Sequence, residues 1–596
     1  MSMLNRLRRL LKIDMPSKSS LKEKQIGNQK SDHETEKDEY DETIPTPKEI
    51  YNLKLTVIAI TASAAAVIIG YDAGFIGGTV SLESFSSEFG LDKMTEAASA
   101  EVSSNVVSLF QAGAFFGSLI FYPVAETLGR KIVLILSGIL LTVGAGISLA
   151  AKESTGLGPI YASRVITGLG IGGCSGISPI YVSEISPAAV RGMLTGTFEA
   201  SWQVGGIIGY WINYGVLQNI PSSRKQWLIP FATQLIPSGL FFIGTFFIPE
   251  SPRFFVNKGK IEAASKNLAY LRNLPDNHPY LIHELDNILK DHEIKTSKLG
   301  RGFLAPIRKL FSNKKLVYRL FLSTSLFPMQ NGFGINAVTY YSPTVFKSFG
   351  ISGSNAGLLS TGIFGIIKGA ASLFWLFFIV ENMGRRKALI WFAFPCSICM
   401  WYIGAYIKIS NPSKRLAEGD TRQDAGAKAA QALLYIWSFT YGCSWNGTPW
   451  VINSEIFSQE IRTATQAINS SSNWFWAFVM GRWTGQALDA IGYKLYFIFA
   501  TVILVFAGVV FLLYPETKGV PLEAVDYLFE VPAWRARDHA MEKFEVEYEL
   551  GYFDDSIERS PSVEVVNNNA SALDDLAKLA LDTGVKDTDN GEVSSR

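Results

Sequence analysis

The sequence predicts an all-α membrane protein in which twelve transmembrane helices form two pseudo-symmetric bundles of six. The first observation is apolar length: runs 55–70, 132–151 and 496–514 carry almost no charge and approach the roughly 20 residues that cross about 30 Å of hydrocarbon. The second is composition, since 48% of the 596 residues are hydrophobic although both ends of the chain are polar. The third is an internal repeat of short motifs, which indicates two homologous halves.

Twelve apolar segments lie between the polar ends, and each is long enough for one membrane crossing. Short loops rich in Lys and Arg remain in the cytoplasm, so we expect the loops at Arg130 and Arg385 to lie there. An even number of spans then places both termini on the same side. In order, spans 1 to 12 are expected at 54–80, 104–124, 131–151, 158–181, 193–216, 227–248, 318–343, 357–380, 387–407, 430–453, 464–487 and 492–514.

The spans divide the chain into five expected regions. Polar composition predicts disordered cytoplasmic tails at both ends, and charge patterning predicts helices in the linker between spans 6 and 7. Met3–Ile13 is compatible with a short basic helix on anionic lipid and also with a plain solvated tail. The regions are the N-terminal tail 1–50, the first six-helix bundle 51–249, the cytoplasmic linker 250–317, the second six-helix bundle 318–515 and the C-terminal tail 516–596.

Three motifs occur once in each half, in the same order and at nearly the same offset. Two such halves about an axis normal to the membrane, with a solute site between them near the midplane, are typical of transporters. A single channel subunit would not need this duplication. The repeated pairs are Leu128-Gly-Arg-Lys131 with Met383-Gly-Arg-Arg386, Ser183-Glu-Ile with Ser454-Glu-Ile, and Pro249-Glu-Ser-Pro-Arg253 with Pro515-Glu-Thr-Lys518.

The composition gives little support to other functional classes. The net charge is +1, which provides no reason to expect a nucleic acid partner. Cys396 and Cys399 have CxxC spacing but lie in an apolar span, where small buried side chains are favoured over metal or redox chemistry. No catalytic constellation or nucleotide-binding loop is visible in the sequence, which therefore predicts no enzyme, no cofactor and no metal ion.

Together, the motifs resemble the sugar porter family of the major facilitator superfamily over about residues 50–525. The resemblance implies the major facilitator fold, alternating access, a monosaccharide or sugar-like acid as solute and, by family habit, a plasma membrane location. Gln330-Asn-Gly332 and Gly365-Ile-Ile-Lys368 resemble the fungal branch of quinate permeases and pentose and hexose carriers. The motifs are Gly70-Tyr-Asp72, Gly129-Arg-Lys131, Arg164-x-x-x-Gly168-x-Gly170, Pro179-x-Tyr-x-Ser-Glu184, Pro249-Glu-Ser-Pro-Arg253 and Pro515-Glu-Thr-Lys-Gly519.

Charged residues cluster at the expected cytoplasmic ends of the spans in both halves. Charges at a membrane boundary are partly desolvated, so pairing of opposite charges is favoured. We expect inter-helix ion pairs that close the inner gate while the outside is open; the alternative is positive anchoring with no switching role. Glu126 stands where the family usually has Asp. The gate residues are Glu126, Arg130, Glu184, Arg191, Glu250 and Arg253 in the first half and Glu381, Arg385, Glu455 and Arg462 in the second.

A sugar-like solute requires amides, hydroxyls and aromatic faces, because its hydroxyl groups both donate and accept hydrogen bonds. Spans 5, 7, 10 and 11 supply such groups, and Gly332 and Gly334 allow span 7 to bend near them. The residues expected to bind solute also include Tyr341 and Tyr441, and Asn331 stands where the family usually has a second glutamine. By the resemblance, the positions that contact sugar are matched by Gln203, Gln330, Asn336, Trp450, Asn473 and Trp474.

Three charged residues inside the membrane each need a reason, since an ionised side chain at the bilayer centre costs about 2.5–3.5 kcal/mol. By the resemblance, Asp72 faces Arg164 in proton-coupled members, and parting the two would favour protonation of the aspartate. Lys368 lies near the middle of span 8. It is compatible with binding a solute carboxylate such as that of quinate, with pairing to a buried acid, or with snorkelling to the outer interface.

These observations predict a carrier that moves a monosaccharide or a sugar-like acid by proton symport. One alternative is a passive facilitator, in which Asp72 has no coupling role. Another is a sensor that binds solute and signals through its tail without transporting it. The expected partners are the small solute, the proton and the lipid bilayer.

Overall fold

The computed structural model describes residues 46–187, 189–300, 302–351, 354–380, 382–418, 423–458 and 460–549. Over these ranges the chain is predominantly helical, and its one β-type pairing is the isolated bridge between Lys152 and Gly156. The expected helix Met3–Ile13 and the gate residue Glu381 lie outside the described residues.

The first half contains six membrane helices close to their expected positions. Asn52 begins span 1 by accepting a hydrogen bond from the N–H of Leu55 at 2.7 Å, and Thr95 begins span 2 in the same way. Span 6 is divided in two at Gln234. The helices are span 1 (Leu53–Val80), span 2 (Glu96–Leu128), span 3 (Arg130–Ser148), span 4 (Gly158–Ile185), span 5 (Arg191–Asn219) and span 6 (Arg224–Thr233 and Leu235–Phe247).

The second half repeats the plan, but spans 7, 9 and 10 are each interrupted where the sequence predicted one segment; span 9 divides at Phe392. Span 7 breaks at Gly334, whose φ of +88° is a backbone conformation that side chains with a Cβ rarely adopt. Span 10 breaks between Gly442 and Thr448. The helices are span 7 (Lys314–Gly332 and Ile335–Tyr340), span 8 (Ser354–Phe374, continued by Trp375–Ile379), span 9 (Arg385–Trp391 and Ala393–Ser410), span 10 (Ala425–Gly442 and Thr448–Glu455), span 11 (Arg462–Ile491) and span 12 (Lys494–Leu513).

Eight of these spans are long and apolar enough in the described residues to cross a membrane by composition alone, namely spans 1, 2, 3, 4, 6, 8, 9 and 12. The other four are broken or more polar. They are spans 5, 7, 10 and 11, and they carry Gln203, Gln330, Asn446 and Asn473. A helix that lines a polar interior tolerates such residues because protein, not lipid, surrounds them.

The spans pack closely because glycines face neighbouring backbones. A Cβ on Gly70 or Gly74 of span 1 would overlap the backbone of span 5, and one on Gly168 would overlap span 2. Small residues at such contacts are typical of membrane helices, whose association depends on close van der Waals packing. The halves meet along two long contacts, span 2 against span 11 and span 5 against span 8.

The polar linker between the halves forms four helices, Pro252–Asn257, Ile261–Arg272, Pro279–Leu299 and Leu304–Ser312. Arg272 is the residue that docks them. Its buried guanidinium donates to the carbonyl of Ile185 at 2.7 Å and to both carboxylate oxygens of Glu284 at 2.6 and 2.9 Å. The linker is thereby held against the end of span 4.

The segment after span 12 is ordered as far as it is described, so the expectation of disorder is wrong for residues 516–549. It forms the helices Leu522–Phe529 and Ala536–Glu549, which pack through the buried Val525, Leu528 and Ala540. Asp526 accepts from Arg319 of span 7. Composition favoured a tail because the segment is polar on average, but its few apolar residues are spaced so that two short helices bury them together.

Candidate functional site

The first half carries an ion-pair network where spans 2 and 4 end and span 3 begins. The buried guanidinium of Arg130 donates to Glu126 at 3.0 Å, to Glu184 at 3.1 Å and to the carbonyl of Ala125 at 3.0 Å. One arginine therefore joins the ends of three helices. The face of the protein that carries Arg130 and Arg385 is called the arginine face below.

The second half repeats this arrangement nearly atom for atom. Arg385 donates to Glu455 at 2.8 Å and to the carbonyl of Val380 at 2.7 Å. The hydroxyl of Thr517 donates to the other oxygen of Glu455 at 2.5 Å. Inter-helix ion pairs were expected among these residues, and Arg130–Glu184 and Arg385–Glu455 are such pairs; each joins spans within one half.

Glu250 was expected to take part in ion pairs, but it caps the N-terminus of span 3 instead. Its carboxylate accepts the backbone N–H groups of Arg130 and Lys131, each at 3.1 Å, and of Ser251 at 2.8 Å. Burial raises the pKa of Glu250, while these donors and the charge of Arg130 act in the opposite direction. A carboxylate at this position is favoured because the first N–H groups of a helix have no partner within it.

Three expected gate arginines do not form the predicted pairs with span-end carboxylates. Arg253 pairs with Asp291 of the linker at 3.0 Å. Arg462 donates to the carbonyl of Phe457 at 3.4 Å, and among the described residues neither Arg462 nor Arg191 has a carboxylate within 4.0 Å. The expectation was wrong for these residues because sequence spacing does not show toward which neighbour a long side chain extends.

Asp72 and Arg164 meet in the interior, as the resemblance implied. Their contact uses both carboxylate oxygens, with Arg164 Nη2 donating to Asp72 Oδ2 at 2.8 Å, and neither residue is more than 1% exposed. Gln234 of span 6 donates to the same carboxylate at 3.3 Å, and Arg164 Nε donates to the carbonyl of Val106 at 2.9 Å. The guanidinium also lies 4.6 Å from the ring of Phe110. These hydrogen bonds offset the free energy that the two charged groups lose when they are removed from water.

The amides of spans 7 and 11 form one chain of hydrogen bonds. Asn336 donates to Asn331 Oδ1, and Asn331 donates to the carbonyl of Phe327 at 2.8 Å and to Asn473 Oδ1 at 3.4 Å. Because Asn336 follows the break at Gly334, the change of helix direction brings it back toward Asn331. The structure therefore brings three of the expected solute residues together.

Gln330 is next to Asn331 in the sequence, but it forms its hydrogen bonds with the backbone of span 10. Its amide donates to the carbonyls of Trp445 and Asn446 at 2.8 and 2.9 Å. Both carbonyls belong to the interruption of span 10, where they lack partners in a regular helix. Gln330 thus satisfies backbone groups that the break exposes.

The four expected aromatic residues have separate surroundings. Trp450 packs on Phe327 with ring centroids 4.8 Å apart, and Trp474 donates to Ser175 of span 4 at 3.1 Å across the two halves. Tyr441 is buried. The hydroxyl of Tyr341 donates to the carbonyl of Gly481 at 2.8 Å, so it braces span 11.

A small cavity lies between spans 1, 5 and 8, in the interior of the protein. Gln203 and Lys368 line it, together with Trp202 and Tyr210. Lys368 is 9% exposed and Gln203 is 6% exposed, so the ammonium group reaches the interior of the protein and does not snorkel to a surface. The cavity joins a residue of the first half to one of the second.

Glu199 of span 5 was not singled out in the sequence, although it belongs to this interior. It accepts hydrogen bonds from Gln203 and from Asn446 of span 10, both at 2.7 Å. Its charge also acts on Lys368. The sequence could have indicated Glu199, because an acidic side chain eight residues into a membrane helix needs a compensating partner. The expected span 5 began at residue 193, so Glu199 was taken to lie near the end of the helix.

A second residue that sequence reasoning missed is Arg482 of span 11, at the face opposite to the arginine face. It donates to Glu101 at 2.9 Å and to Ser104 at 2.8 Å, both on span 2. On the arginine face, Lys298 of the linker pairs with Glu460 at 3.1 Å, and the hydroxyl of Tyr122 donates to the carbonyl of Phe303 at 3.0 Å. Polar contacts therefore lie at both faces, on either side of the cavity.

Comparison with known proteins places this fold and site in a family. The profile of the family described as Sugar (and other) transporter matches residues 57–529. The probable quinate permease of Aspergillus flavus is 47% identical over 531 residues, which cover 89% of this chain and 98% of that protein. The quinate permease of Emericella nidulans is 47% identical over 493 residues, 83% of this chain and 92% of that protein.

Solved structures agree with the helical arrangement. The proton:xylose symporter XylE bound to 6-bromo-6-deoxy-D-glucose matches with a TM-score of 0.65 at 25% identity, covering 80% of this chain and 99% of that chain. A partially occluded, inward-open form of the xylose transporter XylE from E. coli matches with a TM-score of 0.64 at 22% identity. The chain therefore has the twelve-helix, two-bundle major facilitator fold, and this protein belongs to the sugar transporter family as a multi-pass membrane transporter.

Proposed function

We propose that this protein carries a sugar-like acid such as quinate, or a pentose or hexose, across the membrane together with a proton by alternating access. The observation that carries the proposal is the interior cavity between the halves, lined by Gln203 and Lys368. Transporters built from two repeated halves bind solute at such a midplane position. The names of the relatives, quinate permease and proton:xylose symporter, support both the class of solute and the proton.

The amides of spans 7 and 11 suit a solute with many hydroxyl groups. Asn331, Asn336 and Asn473 bond to one another, so each has a lone pair or a proton that a solute hydroxyl can engage after a small rotation. Gln203 stands on the opposite half. Solute held by both halves would draw them together, which is the step that closes an alternating-access carrier. Gln330, Tyr341, Tyr441, Trp450 and Trp474 support this site by holding spans 7, 10 and 11.

The pair Asp72–Arg164 provides a route for coupling to protons. While both charges are in contact, the ionised carboxylate is strongly favoured. A movement that separates span 1 from span 4 would leave the carboxylate buried without its partner. An unpaired buried carboxylate is unstable in its charged form, so Asp72 would then bind a proton. Proton binding and helix movement would in this way depend on each other.

The arginine face is proposed to be cytoplasmic, with both termini on that side, in the plasma membrane. The support is the concentration of basic residues in its short loops, at Arg130-Lys131 and at Arg385-Arg386-Lys387. The networks centred on Arg130 and Arg385 would then act as the inner gate. The division into tails, bundles and linker at residues 50, 249, 317 and 515 is proposed on the same grounds, and the protein is proposed to act as a carrier with no enzymatic step.

The test is transport by the purified full chain in liposomes. Uptake of labelled quinate, xylose and glucose is measured with and without a pH gradient that is acidic outside. We expect uptake of at least one of the three, accelerated by the gradient and abolished by a protonophore. Uptake of none of them under any gradient would overturn the proposal, and uptake that ignores the gradient would replace symport by facilitated diffusion.

A further inference from the structure

Lys368 is a buried side chain that makes no ion-pair contact with any residue that the structure describes. Among the described residues its ammonium donates no hydrogen bond and has no carboxylate within 4.0 Å, although it lines the cavity with Gln203 and Tyr210. Structural lysines inside proteins are normally paired, since an isolated buried charge is costly. A cation exposed only to a cavity is instead placed to receive an anion.

A chain of three hydrogen bonds links the carboxylate of Glu199 to the backbone carbonyl of Lys368. Asn446 donates to Glu199 at 2.7 Å and to the hydroxyl of Ser372 at 3.1 Å, and Ser372 donates in turn to the carbonyl of Lys368 at 3.1 Å. Gln203, which donates to Glu199 from the same helix, faces Lys368 across the cavity wall. Glu199 and Lys368 are thus neighbours separated by neutral polar groups.

Within the described part of the chain, two titratable groups interact with Glu199. The titratable groups that act on it are Lys368 from span 8 and Tyr441 from span 10. The side chain is partly exposed inside the protein, so a proton has access to it. With Glu199 ionised and Lys368 protonated, one positive and one negative charge balance.

We propose that Glu199 and Lys368 form a charge-balanced pair that selects singly charged polyhydroxylated acids over neutral sugars and takes up a proton on Glu199 when such an acid binds. The solute carboxylate contacts the Lys368 ammonium, and its negative charge then lies beside that of Glu199. Two carboxylates that share a poorly solvated site do not both remain ionised, so one binds a proton. The proton comes from the solution on the side from which the solute enters, and the site remains neutral.

This inference rests on the proposed function and narrows its solute class. A neutral pentose or hexose brings no charge, so it requires no proton on Glu199 and makes no use of the Lys368 charge. An acid such as quinate uses both. The proton on Glu199 is additional to any that Asp72 carries, because the two carboxylates have different partners and lie on different helices.

The experiment counts protons taken up on binding to the full chain in detergent. Calorimetric titration with quinate is repeated in buffers of different ionisation enthalpy, since the dependence of the heat on the buffer reports the protons exchanged. We expect Glu199→Gln, which keeps an acceptor for Gln203 and Asn446, to take up about one proton fewer per bound quinate than the natural protein. The exposed Glu96→Gln serves as the matched control and should take up the same number as the natural protein.

A neutral analogue tests the role of Lys368. Methyl quinate should bind the natural protein at least about tenfold more weakly than quinate, and Lys368→Met should remove that preference. If a single variant fails to fold, the double variant Glu199→Gln/Lys368→Met removes both charges together and should bind both compounds equally without proton uptake on that site.

The failure of this inference differs from that of the proposed function. Equal proton uptake by the natural protein and Glu199→Gln, or equal affinity for quinate and methyl quinate, would overturn the inference while transport persists. Absence of binding and uptake for quinate, xylose and glucose alike would overturn the proposed function itself.

Discussion

The carboxylate of Glu516 accepts the backbone N–H of Arg385 at 2.8 Å, just as Glu250 accepts that of Arg130 at 3.1 Å. Each acid lies after the last span of its half and holds the first turn of that half's third helix. The glycine before each arginine, Gly129 or Gly384, has a positive φ, and a Cβ there would collide with the carboxylate. The two halves therefore repeat a helix cap, in addition to the arginine network.

The first prediction concerns these caps. Glu250→Ala and Glu516→Ala should each lower the free energy of unfolding by about 1 kcal/mol, because three backbone N–H groups lose their acceptor at Glu250 and four at Glu516. Thermal unfolding in detergent measures the effect, and Glu250→Gln and Glu516→Gln should lose less. Glu262→Ala, which removes only an exposed pair with Lys266, is the control and should change stability by at most about 0.5 kcal/mol. If Glu250→Ala, Glu516→Ala and Glu262→Ala all lowered the free energy of unfolding equally, the capping role would be contradicted.

The second prediction concerns the break in span 7. Gly334→Ala should destabilise the protein by about 1–2 kcal/mol, because φ is +88° and the new methyl group would meet the ring of Phe499. It should also weaken solute binding, since the break positions Asn336 against Asn331. Gly146→Ala in span 3, where nothing lies near the added methyl group, should be neutral or slightly stabilising. Unfolding midpoints and solute affinity are measured on both variants. Equal values for Gly334→Ala and Gly146→Ala would contradict the role of the break.

The third prediction concerns Asp72 and Arg164. With xylose or glucose, which require no proton on Glu199, Asp72→Asn should abolish uptake driven by a pH gradient while exchange of labelled for unlabelled sugar continues, because exchange requires no net proton movement. The variant leaves Arg164 buried without a counter-ion, so we expect a loss of about 3–5 kcal/mol in stability. Asp72→Asn/Arg164→Gln removes both charges and should recover part of that stability without recovering coupling. Gradient-driven uptake by either variant at the natural rate would rule out this coupling role.

The fourth prediction concerns the amide chain. Asn473→Ala removes the acceptor of Asn331 and one group proposed to meet the solute, so solute affinity should fall about tenfold, the equivalent of about 1.4 kcal/mol. The neighbouring Ser472→Ala, whose hydroxyl donates to the carbonyl of Thr324, should leave affinity within about twofold. Asn331→Gln lengthens the amide and should alter the order of preference among quinate, xylose and glucose. Competition binding on the three variants provides the measurement.

Several site features were readable from the sequence. Asp72 and Arg164 were expected to meet, and they do. Inter-helix ion pairs were expected among the charged residues at the span ends, without specified partners, and the structure contains Arg130–Glu184 and Arg385–Glu455. These contacts follow from short motifs that recur in both halves. Lys368 was recognised as unusual, and pairing with a buried acid was one of its alternatives, but the sequence did not identify that acid as Glu199.

Other contacts depended on features that a sequence does not display. Glu250 was expected to form ion pairs, yet it caps span 3, because the chain after span 6 turns back and brings the carboxylate to the helix start. Arg253 extends to the linker for the same reason. The residues after Tyr514 were expected to be disordered, yet they form helices that contact span 7 through Arg319.

The sequence by itself determined the number and order of the membrane helices and the duplication of the halves. Those properties depend on the length of apolar runs and on local motifs, and both are carried by neighbouring residues. The partners of Glu250 and Arg253, and the common interior of Glu199 and Lys368, emerged from the tertiary structure alone. Such contacts depend on the rotation of each helix about its axis and on the breaks at Gly334 and after Gly442, which arise from packing between residues far apart in the chain.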